Sequence, residues 1–516
     1  MAAEKAPKRR LKARHAAVAL LLCAGLTATV ALIAGSGSPA KPYDFNGDGK
    51  PDLTIGAPGD IVDSNPRAGS VTVVNGTATG PATSSVLLTQ NAPGLSGAGE
   101  TDDNFGQTIT SADFDKDGYA DLAVSTPMEA LGTMTGAGSI TVHYGKSSGL
   151  SGAETDVFHE DVTGIPGDAA MDSLFGYALA SGDLNGDGYP DLAVGQPLDT
   201  AGGRSAAGSV RVLFGSTSGL TANSALWIDQ DSPHVPGGPE AGDRFGEQVA
   251  VGDINGDGDN DLVVSSIGEQ ITGSSDRGSI IVLFGPFDDG PSDGEYIGST
   301  YVDDVSEFSG TALAIGDFND DPYADVAVGV SDQLVGDDGA AGRLAILYAD
   351  ENGLSYDRVK VFNQASPGIN STPEPEDYFA ASLAAGDFDK DGIDDLVIGL
   401  RSEALGSVTG AGSTMVMFGS STGLTTTGLV TTHQDTDGVP GAAAIGNHFG
   451  WTVGALDTNG DGRVEPLVGA PGYSSGTITI LKVKPGTLES VTAFTQTTLG
   501  GPTGADGDAF GIALPR

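Results

Sequence analysis

Thiols, aromatic rings and positive charge are all scarce in this sequence, and each scarcity excludes something. The one cysteine, Cys23, sits inside an apolar run near the N-terminus, so neither disulfides nor a cysteine nucleophile serve the rest of the chain. Phe, Trp and Tyr together make up 6% of residues, and Trp227 and Trp451 are the only tryptophans. The core must therefore be built from Val, Ile, Leu and Ala. Against 69 acidic residues stand 24 basic ones, a formal net charge of -45. A body that acidic repels phosphate backbones and anionic membrane surfaces, which argues against nucleic acid as a partner and makes cations the natural counterparts. The histidines (His15, His143, His159, His234, His433, His448) form no HxH or HExxH pair, so the common zinc signatures are missing.

What is abundant is glycine, 80 of 516 residues, and it recurs at fixed places. The exception is the N-terminus. There KRRLKAR precedes an apolar run from Ala16 to Ala34, followed by GSGSPA and a small-residue cleavage pattern near Ala40. Residues 1–40 read as a signal peptide or, if uncleaved, as an N-terminal anchor, which places the remainder outside the cell or on its surface.

From residue 41 onward an Asp-rich loop returns seven times at steps of 64 to 70 residues. It reads DFNGDGKPDL at Asp44, DFDKDGYADL at Asp113, DLNGDGYPDL at Asp183 and DINGDGDNDL at Asp253. It continues as DFNDDPYADV at Asp317, DFDKDGIDDL at Asp387 and DTNGDGRVEP at Asp457. A Phe-Gly pair stands eight residues upstream at Phe105, Phe175, Phe245 and Phe449; Ala380 replaces the glycine after Phe379, and a residue is inserted near Phe308. Each loop runs into a short apolar stretch, then into a second that opens Gly-Ser, as at Gly69, Gly138, Gly208 and Gly278, then into a less regular fourth. Stretches of 4–8 residues rich in Val and Ile and bounded by Gly or Pro are strands. Four strands per unit, seven times over, predict an all-β, seven-bladed β-propeller over residues 41–516. The first loop lacks a Phe-Gly strand before it, and the chain finishes on a surplus one. Phe510–Leu514 is therefore expected to complete the first blade and close the ring, removing the exposed edges of an open array.

The alternation of Phe-Gly, Asp loop and Gly-Ala-Pro (Gly56-Ala57-Pro58, Gly469-Ala470-Pro471) resembles the FG-GAP repeat family, which includes the N-terminal propeller of integrin α subunits and the propeller of GPI-specific phospholipase D. The resemblance covers essentially all of residues 41–516, with Gly-Ala-Pro lost in the middle blades at Ser265 and Gly329. It implies Ca²⁺ in a hairpin between the first two strands of each blade. It also implies recognition of a ligand, and in integrins a partner subunit, on the opposite face.

The loop spacing independently resembles the front of an EF-hand loop, where alternate side chains and one backbone carbonyl converge on an ion. Position 1 is Asp44, Asp113, Asp183, Asp253, Asp317, Asp387 and Asp457; position 3 is Asn46, Asp115, Asn185, Asn255, Asn319, Asp389 and Asn459. Position 5 is Asp48, Asp117, Asp187, Asp257, Asp321, Asp391 and Asp461; position 9 is Asp52, Asp121, Asp191, Asp261, Asp325, Asp395 and Glu465. Position 7, offering its carbonyl, is Lys50, Tyr119, Tyr189, Asp259, Tyr323, Ile393 and Arg463. The ligands on offer are hard oxygens without His or Cys, which favours calcium over zinc or copper. Two carboxylates ~4 Å apart repel by about 4 kcal/mol at an effective dielectric near 20, so such clusters call for a cation. Up to seven ions are expected. The loop at Asp317 is set apart, because Pro322 stands where the sharp turn otherwise uses glycine.

Catalytic motifs do not emerge. Gly-x-Ser-x-Gly occurs at Gly145–Gly149, Gly419–Gly423 and Gly472–Gly476, each time after a Val- or Ile-bearing strand where a hairpin turn belongs, without a strand-to-helix elbow or a His partner. The function expected is therefore that of an extracellular calcium-binding adhesion or recognition scaffold, monomeric, with a protein or glycan ligand on the face opposite the Asp loops. The competing reading is a secreted hydrolase of the GPI-phospholipase D-like or polysaccharide-degrading type. Sequons at Asn75 and Asn370 allow glycosylation in a host that performs it.

Overall fold

The computed structural model describes residues 40–516 apart from 93–97, 153, 271–276, 300–301, 303–307, 337, 473–475 and 500–508. Residues 1–39, where the expected signal peptide or anchor falls, lie outside the described residues. Among those described, no helix is long and apolar enough to cross a membrane.

The described strands sort into seven antiparallel sheets, six of four strands and a first of three, each a meander in chain order. Blade two shows the plan: Ile109–Ala112, Asp121–Thr126, Ser139–His143 and Thr155–Phe158, from the channel outward. The two middle strands are buried throughout their length, whereas the outermost is half exposed. That burial explains the sequence pattern. Strands covered on both faces read as unbroken apolar runs, and the outer strand, packed on one face, reads as irregular. The core lies between consecutive blades, where two sets of aromatic side chains are fully buried. Phe105, Phe175, Phe245, Phe308, Phe379, Phe449 and Phe510 come from the Phe-Gly motif, and Phe45, Phe114, Phe318 and Phe388 from the Asp loops.

The Gly-Ser and Phe-Gly motifs are two halves of one seam. Gly138, in the left-handed region at φ 87°, lies so close to the next blade that a Cβ would overlap the carbonyl oxygen of Phe175; Gly69 and Gly412 stand the same way against Phe105 and Phe449. Phe175 N–H in turn donates to the carbonyl of Ala137 at 2.9 Å. A side chain in place of that glycine would separate the blades.

The ring closes as expected. In blade two, Gly106 N–H donates to Ser125 O and Ser125 N–H to Thr108 O, both at 2.9 Å. In blade one, Gly511 N–H donates to Gly56 O and Gly56 N–H to Ala513 O, again both at 2.9 Å. Phe510–Leu514 thus fills the inner position of blade one. The chain's beginning continues the line, since Asp52 N–H donates to Tyr43 O at 2.6 Å. The innermost strand of the first blade is spliced from both ends.

Candidate metal centres and the opposite face

Each Asp loop is a tight hairpin from the inner strand of a blade to its second strand, and its side chains first serve its own backbone. In the loop at Asp113, Asp117 N–H donates to Asp113 Oδ1 at 3.0 Å and to Asp115 Oδ1 at 3.1 Å. Gly118 N–H donates to Asp113 Oδ2 at 3.1 Å, and Tyr119 N–H to Asp117 Oδ1 at 3.0 Å. Gly118 adopts φ 95°, the reason for glycine at position 6. The same glycine N–H to Asp bond recurs at Asp44, Asp183, Asp253, Asp387 and Asp457.

Position 9 does most to fix the hairpin to its blade. Asp121 is buried; its Oδ2 accepts Phe114 N–H and its Oδ1 accepts Gly145 N–H, both at 2.9 Å. Asp52, Asp191, Asp261, Asp325 and Asp395 hold the same two positions of their blades. Sequence reasoning assigned these residues to an ion alone and missed this stapling of the second turn. Glu465 keeps the near half of the pattern, accepting from Thr458 N–H at 3.0 Å.

The carboxylates converge where position 3 is Asp. One oxygen each from Asp113, Asp115 and Asp121 lies within 4.8 Å of the others, and Asp387, Asp389 and Asp395 do the same. Asp117 and Asp391, at position 5, are not part of these converging sets. The loops at Asp44, Asp183 and Asp253 repeat the backbone pattern with Asn at position 3, which offers a neutral oxygen in the same place. Burial pushes Asp121 and Asp395 up to about 8, with the neighbouring loop carboxylates adding to the effect; Asp52 and Asp191 are raised to about 7. Without a cation these groups would take up protons near neutrality. With a hard divalent ion between them they would stay charged. The residues present fit calcium on that chemistry.

The hairpin at Asp317 departs from the rest at position 6; a cation on the position 5 carboxylate recurs at Lys50–Asp48 and Lys482–Asp461, and the Asn amide contact recurs at Asn459–Glu465. Pro322 has no N–H to give Asp317 Oδ2, Asn319 turns its amide nitrogen toward Asp325 at 3.1 and 3.3 Å, and Arg358 Nη2 reaches Asp321 Oδ2 at 3.2 Å. An amide donor and a guanidinium occupy the surroundings an ion would need.

On the other side of the propeller, the seven inner strands enclose a channel of about 460 Å³. At its mouth opposite the hairpins stand Gln107, Tyr177 and Trp451, each two residues beyond the Phe of its motif. Arg401 joins them, its guanidinium 4.1 Å from the Tyr378 ring and 5.2 Å from that of Trp451. His448 braces the group, its ring 5.2 Å from Trp451 and its Nδ1 2.8 Å from Arg401 O. Arg401 forms no ion pair among the described residues, and no Asp or Glu lines the channel. Sequence reasoning did not find this cluster, although the residue two places after each Phe marks the channel mouth. Two of the Gly-x-Ser-x-Gly motifs fall in hairpin turns between third and fourth strands, with Gly149 N–H donating to Lys146 O at 2.6 Å and Gly423 N–H to Ser420 O at 2.7 Å. Part of the third lies outside the described residues.

Meandering blades around a channel, each opening with an acidic hairpin, define a seven-bladed β-propeller built from one repeated unit. The chain belongs to the FG-GAP repeat family: the FG-GAP repeat matches residues 40–74, 105–143, 175–213, 245–283, 379–413 and 449–481. Blade five, with Ser309 inserted after Phe308 and Pro322 in its hairpin, falls between the matched segments. The chain is 34% identical to Drosophila melanogaster integrin alpha-PS5 over 168 residues, which cover 32% of this chain and 15% of that protein. It is 32% identical to the phosphatidylinositol-glycan-specific phospholipase D of Rattus norvegicus over 163 residues, 31% of this chain and 18% of that one. The match thus spans less than a fifth of either relative. Among solved structures, a Bacillus licheniformis rhamnogalacturonan lyase aligns with 75% of this chain and 67% of its own at 12% identity, with a TM-score of 0.29.

Proposed function

We propose that this protein is a secreted, calcium-braced propeller that recognises a protein or glycan ligand on the face opposite its Asp hairpins. The observation carrying the calcium reading is the convergence of Asp113, Asp115 and Asp121, and of Asp387, Asp389 and Asp395, in hairpins whose backbone pattern is repeated around the ring. In six hairpins, positions 1, 3, 5 and 9 supply side-chain oxygens and position 7 a carbonyl. The hairpin at Asp317 is braced internally by Asn319 and Arg358. Calcium in this role is structural, tying the first hairpin of a blade to its third strand through the position 9 carboxylate.

The recognition reading rests on the channel mouth. In a strongly acidic body, an Arg401 without a carboxylate partner among the described residues, beside Trp451 and Tyr378, presents a cation and aromatic edges to solvent-side ligands. Binding to arrayed glycans and to extracellular proteins, in calcium and in chelator, tests it. Trp451→Ala and Arg401→Ala should each abolish capture while leaving the melting temperature within a few degrees. A ligand held equally well by both variants would move the recognition site elsewhere.

A further inference from the structure

A further acidic cluster lies on the face away from the hairpins, at the seam before blade four, and its hydrogen bonds are repeated at two alternate seams. In the seam before blade four, one carboxylate oxygen each from Glu240, Asp243 and Glu269 lies within 4.8 Å of the others. Asp243 and Glu269 are buried, Asp243 completely. Glu240 N–H donates to Asp243 Oδ2 at 2.6 Å, and Gln230, just beyond the outer strand of the preceding blade, donates Nε2 to Glu269 Oε2 at 2.5 Å. That leaves Asp243 Oδ1 and Gln230 Oε1, both buried, without a hydrogen-bond partner among the described residues.

The hydrogen bonds are repeated at two more seams, where the three carboxylates do not meet as closely. Before blade two, Glu100 N–H donates to Asp103 Oδ2 at 2.5 Å, and Gln90 Nε2 to Glu129 Oε2 at 2.5 Å. Before blade six, Glu374 N–H donates to Asp377 Oδ2 at 2.7 Å, and Gln364 Nε2 to Glu403 Oε2 at 2.6 Å. Gln90 Oε1 and Gln364 Oε1 are again buried and unpartnered. None of the nine carboxylates forms an ion pair among the described residues.

The seam before blade three is the internal control. Ala170 and Ser173 stand where the Glu and Asp of the other three would be, while acids remain at Glu160 and Asp199. There the chain supplies its own cation. Arg211 is fully buried, its Nη2 2.7 Å from Glu160 Oε1 and 3.4 Å from Asp199 Oδ2, with its guanidinium 3.6 Å from the Trp227 ring. At the matching strand position blades two, four and six carry Thr141, Ile281 and Met415. Buried acids gathered without a counter-charge are costly. One seam meets that cost with a guanidinium, and the other three have no charged side chain to do so.

We infer that the seam at Asp243 is a divalent-cation site of the calcium type, separate from the hairpins, ligated by Glu240, Asp243, Glu269 near the end of the second strand, and the Gln230 amide oxygen of the preceding blade. Three carboxylates and an amide oxygen are hard ligands, and water completes a coordination shell of the usual six to eight. The ion would clamp one blade to the next on the face that Arg211 clamps at its own seam.

Calcium bound per full-length chain, counted by equilibrium dialysis with melting followed in parallel, tests this. The Asp243→Asn/Glu269→Gln variant should bind one calcium fewer than wild type. In excess chelator it should melt at the same temperature or higher, because the repulsion has been removed. An unchanged count overturns the site and shows that the carboxylates share protons instead. The count is read by difference, so it holds whether or not the hairpins are filled; Asp183→Asn, in a hairpin, reports on those separately. Should the variant not fold, wild-type crystals grown with gadolinium decide the matter by anomalous diffraction. A peak between Asp243 and Glu269 supports the site and its absence overturns it.

Discussion

Two adjacent hairpins, at Asp317 and Asp387, start from nearly the same backbone and resolve their charge in opposite ways. They touch, Asp394 N–H donating to Asp317 O at 2.9 Å and Asp317 N–H to Asp394 Oδ2 at 3.0 Å. At Asp387 three carboxylates converge around a gap that no side-chain cation fills. At Asp317, Asn319 places an amide on Asp325 and Arg358 reaches Asp321. The lesson is that two hairpins of one repeat can meet their charge differently, one with side chains of the chain itself and the other, in the reading proposed above, with an ion. Arg211 repeats the lesson on the other face.

The largest effect expected is from chelation. One site held at a hundredfold excess of calcium over its Kd is worth about 2.7 kcal/mol, and several act together. Excess chelator should therefore lower the melting temperature by more than about 10 °C, and an unchanged melt would remove calcium from the structure altogether. The pH response comes next and should vanish with calcium bound. Asp121 and Asp395 are raised by burial to about 8, far above an unfolded carboxylate. In chelator, the stability their protonated forms provide is complete at acid pH and lost as pH rises through 8, by at most about 1.4 kcal/mol per unit for each group. With calcium bound the carboxylates are ionised in the folded and the unfolded chain alike, so stability should stay level over the same range. Melts from pH 6 to 9 in both conditions would show the curves diverge as pH rises, and parallel curves would contradict it.

The paired substitutions Asp395→Asn and Asp325→Asn sharpen the contrast directly. The first should remove one bound calcium and destabilise by roughly 2–3 kcal/mol in calcium, much less in chelator. The second should leave the count unchanged and cost the same in both. Opening the hairpin at Asp317 with Pro322→Gly and Arg358→Gln should do the reverse and add one calcium per chain, read by dialysis. The smallest effect serves as a charge-free control. Ala380 sits at φ 63°, where the other blades use glycine, so Ala380→Gly should raise stability by about 1 kcal/mol equally with and without calcium.

Much of this was legible in the sequence because a repeat states its rules seven times. The period predicted the blades, and the Phe510-Gly511 motif predicted the closure that the bonds of Gly56 to Gly511 and Ala513 display. Positions 1 and 3 of the hairpins were readable as converging groups. The second duty of position 9, holding Gly145 or Gly419 from the next turn, was not, because its partners lie 24 residues downstream in the chain. The channel-mouth cluster was hidden for a similar reason. Arg401, Tyr378 and Trp451 come from three separate segments that only the ring brings within stacking distance. Also unread were the seam clusters, whose ligands are split between consecutive blades.

Anomalous diffraction from crystals grown in calcium would test the contrast between hairpins site by site. Density for an ion is expected at Asp44, Asp113, Asp183, Asp253, Asp387 and Asp457, with none at Asp317, where Pro322 replaces the turn glycine and Arg358 pairs with Asp321. Hairpins without anomalous signal, or a seventh ion at Asp317 equal to the rest, would contradict it.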